Sequence, residues 1–166
     1  MIRIQYLVVV IIIQSFIACS KCDDKPLNNV KIRIQNDLDS KLVTASIGST
    51  MYKSNDSFAS CTMTKSFNDV PQGTTTDYVD TYGNHLGYDG VRVNRPGTRS
   101  VVTPSTVSRE DLEDQLIKNG AVQDSVKNVY RDKMYYGLRL PDGFYTYRLL
   151  NLSDDGRFIE LEIIKD

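Results

Sequence analysis

The sequence predicts an all-β fold, a single antiparallel β-sandwich with one short helix in an insertion. Three observations predict it. Apolar and polar residues alternate with a period of two at both ends of the domain. Val30, Ile32 and Ile34 alternate with Lys31, Arg33 and Gln35, and Ile159, Leu161 and Ile163 with Glu160, Glu162 and Ile164. Between these ends lie short runs rich in Val, Ile, Thr, Tyr and Phe, separated by clusters of Gly, Pro, Asn and Asp. One stretch alone, near residues 108–119, carries helix start and stop signals.

Residues 1–18 are of another kind. Arg3 and the amino group are cationic, Tyr6 to Ile13 is unbroken apolar sequence, and Ser15 to Ala18 adds small and apolar residues before Cys19. A membrane-spanning helix needs roughly 20 apolar residues, whereas Gln14 and Ser15 interrupt this run and Lys21, Asp23 and Asp24 close it. The length and flanks match a signal peptide. Phe16-Ile17-Ala18-Cys19 resembles the bacterial lipoprotein signal. That resemblance implies cleavage before Cys19 and a diacylglycerol on its thiol. One acyl chain holds a protein only marginally, so a multiply acylated Cys19 would anchor the chain permanently. The expected location is the bacterial outer membrane, on either its surface or its periplasmic face.

Residues 19–29 read as the lipidated cysteine and a flexible tether, polar and charged, with Pro26 and no periodicity. Lys21, Asp23 and Asp24 resemble the charged export signal of Bacteroidetes lipoproteins, although Cys22 interrupts the run and a soluble spacer has the same composition. Removing residues 1–18 takes one cation, Arg3, from the 20 Lys+Arg and none of the 21 Asp+Glu, leaving 19 against 21. This balance lacks the basic surface that nucleic acid requires. Cys22 and Cys61 either pair in an oxidising envelope or leave Cys61 as a buried thiol.

The domain, residues 30–166, is large enough to bury a core without staples. Besides the two end strands, the candidates are Leu42–Ile47, Ser60–Phe67, Thr75–Tyr82, Gly90–Asn94, Lys133–Leu140 and Phe144–Leu152. The expected core joins Val91, Val93, Tyr145, Tyr147 and Leu149 to the apolar residues of the end strands. Val70-Pro71-Gln72-Gly73 and Leu140-Pro141-Asp142-Gly143 read as turns, and Asp154-Asp155-Gly156 as a hairpin loop. Ser108 is the expected N-cap, with Asp111 at the capping-box position and Val107 and Leu112 placed as a hydrophobic staple. Glu110, Asp111, Glu113 and Asp114 suit the positive end of the helix, Lys118 the negative end, and Gly120 the C′ position. The helix sits in an insertion of about residues 95–133. Its Leu112, Leu116 and Ile117 are candidate partner-facing residues, or else plug an open end of the sandwich.

VKIRIQNDLDSKL, SFNDVPQGTTTDY and LPDGFYTYRLLNLSDDGRFIELEIIKD resemble segments of small uncharacterised Bacteroidetes lipoproteins. The resemblance implies an immunoglobulin- or transthyretin-like sandwich. It covers about half of the chain after Cys19 and consists of strand and turn residues, so it brings no catalytic residue with it.

The sequence carries no recognisable catalytic constellation. His85 is the single histidine; a Cys61–His85 nucleophile pair is conceivable, but His85 reads as a loop residue beside Asn84. Asp77, Asp80, His85 and Asp89 match no ligand spacing. Asn36 to Ser40 lacks the Gly and distal Glu of a calcium loop. Glu160 and Glu162 occupy the solvent face of a strand rather than a glycosidase pair. The sequence therefore predicts no enzyme, no metal and no cofactor. Ten tyrosines accompany no tryptophan, and any left outside the core could stack on sugars or peptides. Asp124-Ser125-Val126 resembles an O-glycosylation acceptor of Bacteroidetes. The expected function is a lipid-anchored envelope protein, a non-enzymatic binding or structural module. Its expected partners are the membrane, through the N-terminal lipid, and an envelope protein or glycan. The alternative is a glycan-binding accessory lipoprotein of a nutrient-uptake system.

Overall fold

The computed structural model describes residues 29–53, 59–81, 84–86, 90–97, 101–128 and 133–166; the side chains within 50–62, 84–86 and 124–135 are outside the description. The signal segment, Cys19, Cys22 and the tether to residue 28 lie outside the described residues, as do the side chains of Cys61, His85, Asp89 and Ser125. The described chain is mostly β. Its strands are β1 (Val30–Asn36), β2 (Leu42–Lys53), β3 (Ala59–Val70), β4 (Val79–Thr81), β5 (Asn84–Leu86), β6 (Val91–Pro96), β7 (Val102–Val107), β8 (Val122–Asn128), β9 (Lys133–Arg139), β10 (Gly143–Leu152) and β11 (Phe158–Lys165), with helix α1 (Arg109–Lys118) between β7 and β8.

Eight strands form one sheet in the order β3-β2-β6-β7-β11-β10-β1-β4, and β5-β9-β8 form a second, three-stranded antiparallel sheet. The large sheet curls until Cα atoms of its two end strands, β3 and β4, come within 8 Å, so that it nearly closes into a barrel. The expected purely antiparallel arrangement is corrected here. β1 runs parallel to β10, with Val30 opposite Gly143 and Ile34 opposite Tyr147, and β7 runs parallel to β11. Alternation fixes which face a side chain takes. It says nothing of the direction of the neighbouring strand.

The face assignment holds throughout. Val30, Ile32, Ile34, Val91, Val93, Tyr145, Tyr147, Leu149, Ile159, Leu161 and Ile163 are all buried in one core, while Glu160 is exposed. Tyr145 donates its hydroxyl to Pro141 O at 2.8 Å, which lets a phenol sit in an apolar interior. Burial pushes the Tyr147 phenol far above its ordinary range. On the outer face of β10, Thr146 is also buried, because Arg33 Nε donates to its Oγ1 at 2.9 Å and that hydroxyl donates to Asp166 Oδ2 at 2.7 Å.

Several strands exceed their expected length, β2 by six residues, because pairing with β3 continues past Ile47 to Lys53. Thr75–Tyr82 does the opposite. Among its described residues only Val79–Thr81 forms a strand, with one isolated bridge between Gln35 and Thr75. The hairpin loop at Asp154–Gly156 forms as expected: Ser153 N donates to Phe158 O at 2.9 Å, and Gly156 takes φ 68°, where a side chain would be strained.

Candidate functional site: a groove between the helix and the small sheet

Helix α1 is capped as its sequence specifies. Ser108 Oγ accepts from Asp111 N at 3.1 Å. At the other end Gly120, φ 79°, donates to Ile117 O and Ala121 donates to Leu116 O, a Schellman motif. Its rows of residues spaced by four then have separate tasks. Leu112 and Leu116 are buried in the core. Asp111, Gln115 and Asn119 face β11. Asp111 Oδ2 accepts from Leu161 N (3.1 Å), Gln115 Oε1 accepts from Ile163 N (3.1 Å), and Asn119 Nδ2 donates to Ile163 O (2.8 Å). β7 pairs with β11 only at Phe158 and Ile159, so these side chains take over the ladder where β7 stops. The Asp111 carboxylate serves this edge in place of the expected capping box.

The third row, Arg109, Glu113 and Ile117, forms one wall of a groove. Ala121, Gln123 of β8, and Tyr136, Gly137 and Leu138 of β9 complete a hollow of about 460 Å³. Arg109 Nε donates to Glu113 Oε1 at 2.6 Å, with the two side chains 67% and 41% exposed. Ile117 and Tyr136 are 58% and 56% exposed, whereas Gly137 is buried and Leu138 and Ala121 are half-buried. Gln123 pairs with Leu138 across the ladder, and His85 pairs with Leu138 on its other side.

Of the helix residues expected to face a partner, only Ile117 faces outward. For Leu112 and Leu116 the partner-facing expectation gives way to its packing alternative: both are buried in the core, because their row points into the large sheet. Arg109, Glu113, Gln123 and Tyr136 were missed. Their spacing, i and i+4 on the helix and i, i+2 from Tyr136 to Leu138 on β9, was available in the sequence. The packing that turns these rows toward each other was not.

A second hollow, about 310 Å³, is lined by Asp37, Leu38, Asp39, Gln72, Leu150, Asn151 and Leu152. Its Asp37 is already occupied. Gln35 Nε2 donates to both carboxylate oxygens, and Arg148 Nε and Nη2 donate to Oδ2 at 3.0 and 2.7 Å. The Gln35 hydrogen bond, joined by Arg148 and opposed by partial burial, holds the Asp37 carboxyl below its ordinary range. On the outer sheet face Phe144 meets Tyr78 edge-on with ring centroids 5.0 Å apart, and Arg33 lies 4.6 Å over the Tyr78 ring. This cluster closes on itself, because its polar groups bond one another. Asp80, once grouped with His85 as a conceivable ligand, pairs with Lys31 at 3.3 Å. Among the described residues no three His, Cys, Asp or Glu converge on a metal position, and no helix is long and apolar enough to cross a membrane. Comparison with protein-family models, curated proteins and solved structures returned no match.

Proposed function

We propose that the protein is a lipid-anchored envelope protein that acts as a non-enzymatic binding module, and that the groove beside α1 is its binding face. One observation carries the reading. α1 is fixed to the scaffold by its Leu112 and Asp111 rows, yet it leaves Ile117 and, across the groove, Tyr136 more than half exposed. Large apolar side chains held on a rigid concave surface are a common basis of recognition. The anchor rests on the Phe16–Cys19 resemblance to a lipoprotein signal, and the outer-membrane location rests on the same segment. The immunoglobulin- or transthyretin-like assignment rests likewise on sequence resemblance, with the curled large sheet taken as a sandwich whose layers join at their edges.

The anchor and the binding face have separate tests. Cys19→Ser should move the protein from the membrane to the soluble fraction, and an unmodified Cys19 in the wild-type chain by mass spectrometry would end the anchor reading. A photo-crosslinking amino acid at Tyr136, in the native envelope, should capture a defined partner that the same group at exposed Val101 does not. Equal capture at both positions would remove the groove from the binding role.

A further inference from the structure

Resting on the lipid anchor at Cys19, we infer that the domain lies against the bilayer that holds it, seated on an apolar strip of Tyr78, Phe144 and Ile164. The root of the tether is the first argument. Asn29 O accepts from Gly143 N at 3.1 Å, so the chain enters the domain beside Phe144. Residues 19–28 span at most about 36 Å when fully extended. So short a linker holds this end of β1 and β10 near the membrane at a roughly millimolar effective concentration. A surface that binds lipid only weakly in free solution is then occupied.

The strip has the composition that such a surface needs. Phe144 and Ile164 are 47% and 37% exposed. They are diagonal neighbours on the outer sheet face, because Ile164 pairs with Thr146 and Phe144 lies two residues before it. Tyr78 packs edge-on against Phe144. Beneath them the polar groups satisfy one another: Tyr78 and Thr146 donate their hydroxyls to Asp166, and Arg33 donates to Thr146. The exposed part left by that network is the Phe144 ring and the Ile164 side chain. Acyl chains need no hydrogen bond, whereas a glycan or a peptide backbone does. Charges of both signs stand at this end, with Lys31 paired to Asp80 at 3.3 Å and with Lys165 and Asp142 exposed. Seating therefore rests on apolar contact, and a neutral bilayer suffices.

The chain contains no tryptophan, so a single introduced one reports its own surroundings. Phe158 supplies the control. It is also 47% exposed and lies on the same face of β11 as Ile164, about 20 Å along the strand. Phe144→Trp and Phe158→Trp are made in the chain from residue 19 onward with Cys19→Ser and an N-terminal histidine tag. A nickel-chelating lipid holds each on phosphatidylcholine vesicles that contain a lipid brominated on its acyl chains. The tag supplies the attachment whether or not the native Cys19 is lipidated. Phe144→Trp should shift its emission to the blue and lose roughly half of its fluorescence or more, Phe158→Trp should do neither, and high salt should leave the quenching in place. Absent quenching at residue 144, or equal quenching at both positions, overturns the inference even where Cys19 proves lipidated. Quenching abolished by salt overturns its apolar basis. An unmodified Cys19 in the native chain removes the anchor, and the inference falls with it whatever the vesicles show.

Discussion

Asn36 is fully buried at the end of β1, where two loops meet it. Its amide nitrogen donates to Ser40 O (2.9 Å), Val70 O (3.1 Å) and Pro71 O (3.1 Å), while Oδ1 accepts from Leu38 N at 3.2 Å. One side chain thereby joins the β1–β2 turn to the Val70–Gly73 turn. An apolar replacement leaves carbonyls and an N–H buried without it, at a cost of about 1–3 kcal/mol. Asn36→Leu should lower the urea midpoint accordingly with an unchanged m-value. Beside it, Asp37 gives a pH signature. Its folded pKa lies below the ordinary 3.8, so between the two values the unfolded chain binds more protons. The stabilisation is complete above about pH 5 and is lost as pH falls through 3.8 toward the folded value. Urea midpoints measured down that acid limb should fall less steeply for Asp37→Asn than for wild type. Equal slopes would show that the Gln35 and Arg148 contacts do not hold the carboxylate.

The helix is the informative element. An edge strand with unpaired backbone groups invites foreign pairing, and α1 closes that part of β11 with side chains rather than with a strand. Removing Asp111 or Gln115 frees a backbone N–H at Leu161 or Ile163. Asp111→Ala and Gln115→Ala should each speed hydrogen exchange at the corresponding amide more than at Tyr147 across the sheet, and should destabilise by about 1 kcal/mol. Protection unchanged at Leu161 and Ile163 would mean that the helix merely lies over the edge. Gly120→Ala places a side chain at φ 79°, and the strain of that conformation should cost about 1 kcal/mol in thermal melts.

At the scale of the whole molecule, the stretch 95–133 is more than an excursion from a finished scaffold. It contains β7, which sits between β6 and β11 and pairs with both. Without it the other seven strands of the sheet divide into β3-β2-β6 and β11-β10-β1-β4. Deleting residues 99–128 behind a short Gly/Ser bridge should therefore abolish cooperative unfolding, read by circular dichroism during a melt. A deletion that still melts cooperatively would contradict β7 as a bridge. This result also limits what such a deletion says about binding. Point variants in the groove, which leave β7 in place, separate recognition from folding.

The sequence by itself determined local matters. Alternation put Leu161 inside and Glu160 outside, and Ser108 and Gly120 set the helix ends, because these depend on a residue and its near neighbours along the chain. It also carried the expectations for Cys19, which lie beyond the described residues. Tertiary structure alone decided which strands became neighbours, and in which direction. The β1–β10 pair joins residues more than a hundred positions apart, and a period of two is identical for parallel and antiparallel partners. The site was hidden for the same reason. Three helix rows were visible as spacings, but only packing showed that Leu112 faces the core, Asp111 the β11 edge, and Glu113 a groove opposite Tyr136.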